Sequence, residues 1–307
     1  MDDTKKREHL TLSSPRKRGS IFMHLEISIA HQSVSFPRKR ESIWQRLTWI
    51  PAFAGMRGWP CATPFVMFIV AFFVSTYSEL TRADEPKKLT PTEIIAILKN
   101  KVNSTGNIAD AVEEATGQRG FMSRDMRPIF KTKIVGPAAP ALMRPVLRTD
   151  KRTYPNYALE ILDEAEPGSV LVYVLEDGLE IAGMGNLMAT TAKIRGPAGA
   201  VIDGAARDVE KVTEIGFPIF SRAISPATSV GRYVSVAKQI PVKCAGIMVK
   251  PGDYIVGDLD GVVVVPQEAA EKVVEFLKLY DDKESKMISI IKEEKSMLKA
   301  LEKYNRY

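Results

Sequence analysis

No histidine follows His31, no tryptophan follows Trp59, and of the two cysteines only Cys244 lies beyond residue 83. Without histidine, the rest of the chain cannot carry a Ser-His-Asp or Cys-His triad, an HExxH zinc site or an imidazole base. A single cysteine excludes an internal disulfide there, and with no histidine it also excludes a Cys/His zinc centre. Net charge is missing from the same region. The formal +6 of the 307 residues comes from 1–83, which hold 12 basic and 6 acidic side chains; residues 84–307 balance at 31 against 31. A neutral body gives no electrostatic reason to bind nucleic acid, whose affinity rests on neutralised phosphates. An apolar run of membrane-spanning length, about 20 residues, is also lacking, so no stable membrane span is expected.

What is present divides by composition. Residues 1–55 form a basic leader in which Pro15-Arg16-Lys17-Arg18 recurs as Pro37-Arg38-Lys39-Arg40. A polyanion-binding arm is one reading; translated repetitive DNA in an over-long reading frame is the plainer one, and we adopt it. Residues 56–83 read as a signal peptide, with Arg57 before the ten-residue apolar run 65–74 and Thr81-Arg82-Ala83 as cleavage site. If that signal works, the protein is exported to the periplasm; otherwise it is cytoplasmic. Residues 84–104 form a linker and helix, 105–290 the domain, and 291–307 a helical tail.

Within the body, helix and strand signals alternate. Thr90 caps a helix with Pro91 at its first position, and 107–112 suggest a second helix. Residues 132–137 read as a strand ending in a turn, 157–164 as a helix, and 170–175 as a strand buried on both faces. Residues 186–193 and 209–215 look helical around a short strand at 200–202. Strands follow at 233–236, 242–249, 254–256 and 262–265, separated by Pro, Gly and Asp turns. This order predicts a mixed α/β fold with an antiparallel part. After Pro266, Val273, Phe276, Leu277 and Tyr280, then Met287, Ile288, Ile291, Leu298 and Leu301, make a helical apolar stripe that packs on its own subunit or clasps a neighbour.

One stretch carries the chemistry: Gly183-Met184-Gly185-Asn186-Leu187-Met188, then Asp203-Gly204 and Arg207-Asp208. A glycine loop opening a helix offers free amides to a carboxylate or phosphate. It is not a dinucleotide fingerprint, because Met188 stands where the third glycine belongs. Arg207 and Asp208 close a short buried strand. Such a carboxylate can hold a divalent cation through oxygen, and the arginine fork suits a carboxylate or an enolate oxygen. The plain alternative is an ion pair or a helix cap.

Gly-Asn-Leu-Met at 185–188, the twenty residues between Asn186 and Arg207, and Asp203-Gly204 with Arg207-Asp208 together resemble the family of 4-hydroxy-4-methyl-2-oxoglutarate aldolases and the related RNase E inhibitor RraA. Met126-Arg127-Pro128-Ile129, Ser229-Val230-Gly231-Arg232 and Asp260-Gly261-Val262 extend the likeness over roughly 105–290. The resemblance implies an RraA-like β/β/α sandwich with mixed sheets, a single domain plus a long C-terminal helix. It further implies a homotrimer or hexamer with sites at subunit interfaces. Asp208 would carry Mg²⁺ or Mn²⁺, Arg207 would contact the substrate, and the amides of Gly185, Asn186, Leu187 and Met188 would cradle the carboxylate of a small 2-oxo acid. The activity implied is a class II aldolase or oxaloacetate decarboxylase passing through a pyruvate enolate.

Two positions depart from that pattern: Asn186 and Lys211 stand where the aldolases carry acids. Asn186 can position a water but cannot act as a base. Glu284 of the terminal helix is a further candidate, reaching a neighbouring subunit's site. The competing expectation is a non-catalytic RraA-like regulator that binds a ribonuclease or another protein.

Overall fold

The structure, a computed structural model, describes residues 88–100 and 103–304 of the chain. The leader, 1–55, and the signal-peptide reading, 56–83, lie outside the described residues.

Helix α1 (Pro91–Lys99) starts as its sequence predicts. Thr90 accepts from the Glu93 amide at 3.2 Å, and Glu93 accepts from the Thr90 amide at 2.8 Å, a reciprocal capping box with Pro91 at the first position. Helix α2 (Thr105–Thr116) follows, longer at both ends than its apolar pattern suggested. Then come β1 (Arg127–Pro128), β2 (Ile134–Pro145), α3 (Tyr157–Glu164), β3 (Val170–Leu175), β4 (Ala182–Met184) and α4 (Asn186–Arg195). The chain continues through β5 (Gly199–Ala206), α5 (Val209–Ile215), β6 (Ile219–Ile224) and β7 (Tyr233–Lys238). A hairpin of β8 (Val242–Cys244) and β9 (Ile247–Val249) follows, then β10 (Tyr254–Asp258) and β11 (Gly261–Val265). A 3₁₀ turn (Gln267–Ala269) leads into α6 (Ala270–Glu294) and α7 (Met297–Lys303).

The mixed sheet expected from the sequence is present. Its order is β1-β6-β5-β3-β2-β10-β11, with β4 added beside β5 and β7 beside β2. Neighbours β2, β3, β5 and β6 run parallel, as do β4 and β5, while β1, β7, β10 and β11 pair antiparallel. The sheet curls until β1 at one end touches β10 and β11 at the other. Val172, Val201, Phe220 and Ile255 fill the inside with Val242, Cys244 and Val249 of the hairpin. Helices α3, α4 and α5 cover the outer face of the parallel strands through Ile161, Leu162, Ala189, Ala192 and Val212. Helices α1, α2 and α6 cover β10 and β11 through Leu98, Ile108, Val273, Val274 and Leu277. Each large side chain buried there contributes about 1.5–3 kcal/mol.

Several expectations needed revision. The strand read at 132–137 does not end at Gly136-Pro137: β2 runs to Pro145 and changes partner there. Residues 134–137 pair with β10, and 138–143 pair with β3. Proline is tolerated at this handover, where a missing donor interrupts no single continuous ladder. Gly136 is needed because the Gly168 carbonyl of the Pro167-Gly168 turn lies where a side chain would begin. Gly136→Ala is therefore expected to cost about 3 kcal/mol by overpacking against backbone, read as a lowered urea midpoint; an unchanged midpoint would contradict this packing.

The single strand read at 242–249 is two short strands around Ala245-Gly246, both at positive φ (45° and 90°). Strand β6 was not read as a strand at all. The terminal helix spans 290 and 291 without a break, stops at Lys295 (φ 51°), and α7 folds back so that Met287, Ile290 and Ala300 cluster. Val273 and Leu277 pack on their own subunit, the first of the two alternatives, while Ile288 and Leu298 remain exposed. Among the described residues no helix is long and apolar enough to cross a membrane.

Candidate functional site

Because β2, β3, β4, β5 and β6 are parallel, their C-terminal ends meet along one edge, the place where open α/β sheets commonly bind ligands. Strand β5 carries Arg207-Asp208 there. Its register slips between Ile202 and Ala205, around Gly204 (φ 159°), and this bulge re-aims the strand end. The Arg207 amide donates to the Met184 carbonyl at 3.1 Å, which holds the pair against the end of β4.

Asp208 opens α5 with φ 55° and ψ 35°, a left-handed conformation that costs a non-glycine residue about 1–2 kcal/mol. Its side chain makes no cap to α5. It turns instead to the start of α4, where Oδ2 accepts from the Asn186 amide at 3.1 Å. Arg207 Nε stands 3.6 Å from the same oxygen, and the two side chains are 37% and 32% exposed. The cap reading of Asp208 is thus replaced by a long-range contact. Gly185 makes it possible: a Cβ there would lie 2.6 Å from Asp208 Oδ2 and 2.9 Å from Arg207 Nε and Cγ.

Helix α4 has no side-chain cap. One of its first amides serves Asp208, and those of Leu187 and Met188 have no protein acceptor among the described residues. With the helix dipole behind them, they suit a carboxylate. A cavity of about 390 Å³ opens beside them, lined by Gly185, Leu187, Met188 and Arg207, and by Leu159, Asp163 and Ser229. The structure therefore brings together six of the residues read from the motif, while Asp203 lies beside another cleft. Gly185, Leu187, Met188 and Arg207 line the cavity, and Asp208 and Asn186 stand beside it. Sequence reasoning missed Leu159 and Asp163 on α3, because nothing local to that helix marks the two residues as cavity walls.

Other candidates are occupied. Asp203 accepts from Arg222 at 3.0 Å and from the Ala245 amide at 2.6 Å, so it ties β5 to β6 and to the hairpin. Arg222 also bonds Asp125 and holds that carboxyl below its ordinary range. The broader cleft of about 850 Å³ beside Asp203 and Arg222 is lined by Lys243 as well, and its arginine is already shared by two carboxylates. Burial pushes the Cys244 thiol well up, which removes it as a nucleophile at neutral pH. Glu284 accepts from Asn107 of its own chain at 3.0 Å. Lys211 is exposed on α5.

No group of three or more His, Cys, Asp or Glu able to hold a metal occurs among the described residues. Asp208 is a lone carboxylate, and none of its hydrogen bonds uses Oδ1. This suits a hard cation that retains most of its waters, as Mg²⁺ does on one or two carboxylates, and does not suit zinc.

Comparison with known proteins agrees with this architecture. The chain is 39% identical over 113 residues to an uncharacterised protein of Methanocaldococcus jannaschii, covering 36% of this chain and 53%, about half, of that one. It is 32% identical over 196 residues to a Halalkalibacterium halodurans protein provisionally named a 4-hydroxy-4-methyl-2-oxoglutarate aldolase, covering 62% of this chain and 85% of the relative. The crystal structure of Streptomyces coelicolor RraAS2, an unusual member of the RNase ES inhibitor RraA family, superposes with a TM-score of 0.57. Its sequence is 27% identical, and the match covers 66% of this chain and 98% of that one. The model of the RraA-like family, described as Aldolase/RraA, matches residues 105–264, more than half of the sequence, and the chain belongs to that family.

Proposed function

We propose that the protein is a divalent-cation-dependent lyase that cleaves a C–C bond of a small 2-oxo acid, of the 4-hydroxy-4-methyl-2-oxoglutarate aldolase or oxaloacetate decarboxylase type. The observation that carries this reading is the seating of Arg207 and Asp208, through Gly185, against the uncapped start of α4. Asp208 would hold Mg²⁺ or Mn²⁺, which supplies Lewis-acid polarisation of the 2-oxo group when bound. The amides of Leu187 and Met188 bind the substrate carboxylate. The Arg207 fork faces the oxygen on which charge grows as the bond electrons move into the pyruvate enolate. Buried Met184 and Ala206 anchor both elements, so these groups need little reorganisation.

Asn186 decides between the two reaction types. Retro-aldol cleavage removes a proton from the C4 hydroxyl, and an amide cannot accept it; solvent water must. Decarboxylation releases CO₂ from a carboxylate already ionised and needs no base. Oxaloacetate is thus expected to be the faster substrate. Asn186→Asp should raise retro-aldol turnover at least 10-fold relative to decarboxylation, as a positioned base does. Pyruvate release from oxaloacetate and from 4-hydroxy-4-methyl-2-oxoglutarate, measured for both proteins, tests this; an unchanged ratio would remove Asn186 from the mechanism.

Assembly as a homotrimer or hexamer belongs to the same reading. Leu187, Ile224 and Val230, at the strand edge or the cavity, are 76%, 66% and 77% exposed, and a neighbouring subunit would cover them. The second reading, a non-catalytic protein-binding regulator, draws on Asn186 and Lys211 in place of acids and on the likeness to RraAS2. It predicts no turnover of any 2-oxo acid.

A further inference from the structure

Strand β5 changes partners just before it delivers Arg207 and Asp208. Val174–Asp203 is its last pair with β3, and Ala182–Ala205 is its first with β4. On the other side the ladder steps from Ile202–Ser221 to Ala205–Ala223. Strand β5 thus holds one residue more than β6 across this step, and neither Asp203 nor Gly204 pairs with β6. A one-residue slip moves every later side chain to the opposite face of a strand. The phase of this bulge therefore decides whether Arg207 and Asp208 turn toward Gly185, as they do, or away from it.

The side chains skipped by the ladder bond each other in its place. Arg222, the β6 residue left over, donates from Nη1 to Asp203 Oδ1 at 3.0 Å. Asp203 Oδ2 accepts from the Ala245 amide at 2.6 Å. The Ala245 carbonyl accepts from the Ser123 amide at 2.9 Å, and Ser123 Oγ donates to Asp125 Oδ1 at 2.5 Å. Asp125 Oδ2 then accepts from Arg222 Nε at 2.8 Å, which closes a ring. Its members come from β5, β6, the hairpin turn and the segment before β1. Every bond in the ring is made within one subunit, so a neighbour covering Leu187 and Val230 neither supplies nor removes one.

Resting on the lyase reading above, we infer that Asp203 and Arg222 are positioning residues of this site. Their bond fixes the bulge in the phase that aims Arg207 and Asp208 at the start of α4. Neither residue lines the cavity beside Arg207. Asp203 acts through the strand, about 13 Å of extended chain before Arg207. The guanidinium is needed as a planar fork. Its Nη1 serves Asp203 while Nε and Nη2 serve Asp125, and a lysine ammonium cannot hold both carboxylates in that plane.

Mn²⁺ binding to the full chain without substrate, followed by the electron paramagnetic resonance signal of the free ion, tests this beside oxaloacetate turnover. Asp203→Asn removes the charge and one acceptor. Arg222→Lys keeps the charge and removes the fork. Each is expected to weaken Mn²⁺ binding and to lower kcat by about 10-fold or more, as loss of support around a metal ligand does. A role in stability alone would lower the melting temperature and the number of binding sites. It would leave the dissociation constant of the folded fraction unchanged. If Asp203→Asn does not fold, Arg222→Lys carries the test. A wild-type dissociation constant in either folded variant would overturn the inference and leave the lyase reading standing. A wild-type chain that neither binds Mn²⁺ nor releases pyruvate would overturn both.

Discussion

Replacing Asp208 with asparagine is expected to lower cation-dependent pyruvate release about 1000-fold or more, because it removes the carboxylate that would hold the cation. Asparagine is the informative choice. Residue 208 sits at φ 55°, where Asn and Asp are tolerated and alanine is strained. The side-chain oxygen can still accept from the Asn186 amide, so the start of α4 keeps its partner. Thermal unfolding should therefore stay close to wild type while turnover disappears. Asp208→Ala should lose the same activity and some stability besides, since it gives up both the hydrogen bond and the conformational fit. Activity retained in the asparagine variant would mean that the cation is held elsewhere or is not used.

Gly185→Ala is the second large effect, and it separates geometry from chemistry. The residue has φ −138° and ψ −166°, extended backbone open to any amino acid, so alanine brings no backbone strain. Its Cβ would nonetheless lie 2.6 Å from Asp208 Oδ2 and 2.9 Å from Arg207 Nε. Both side chains are about one third exposed and can swing aside, so the fold should survive with little change. The displacement falls on the two groups that would touch substrate and cation under the proposed function, and a shift near 1 Å at such groups costs about 100-fold in rate. Steady-state kinetics beside a thermal melt would show it. Wild-type kcat/KM in a folded Gly185→Ala protein would rule out the observed seating as the working one.

Much of the outline was legible because burial and periodicity act locally. Strand β3 is apolar at all six positions and is buried at all six, and α3 and α5 fall on the bounds their spacing indicated. Strand β6 was hidden by its own pattern. Ile219 and Phe220 are buried, but Ser221 and Arg222 follow, and these are accommodated by contacts no window of sequence contains. Ser221 donates to the Ala223 carbonyl, and Arg222 reaches Asp125 and Asp203. The prolines of β2 misled for a related reason, since their tolerance depends on which strand lies alongside.

The site shows the same division. Its residues could be picked out from types and spacing, because a carboxylate and a guanidinium at a strand end beside a glycine loop suit few chemistries. The orientation could not. Asp208 in front of a helix reads as a cap, and its turn toward Gly185 and Asn186 exists only once β4 and β5 lie side by side. The walls contributed by α3 and by the Thr228–Val230 segment are long-range for the same reason.

The most direct test of the central claim is pyruvate release from oxaloacetate by the purified full chain, with Mg²⁺ and then with excess chelator. A protein-free control at the same Mg²⁺ corrects for decarboxylation by the free ion. Saturable turnover above that control, lost with chelator and restored by added Mg²⁺, is the expected result. Pyruvate release no faster than the protein-free control, at any Mg²⁺ concentration, would contradict it.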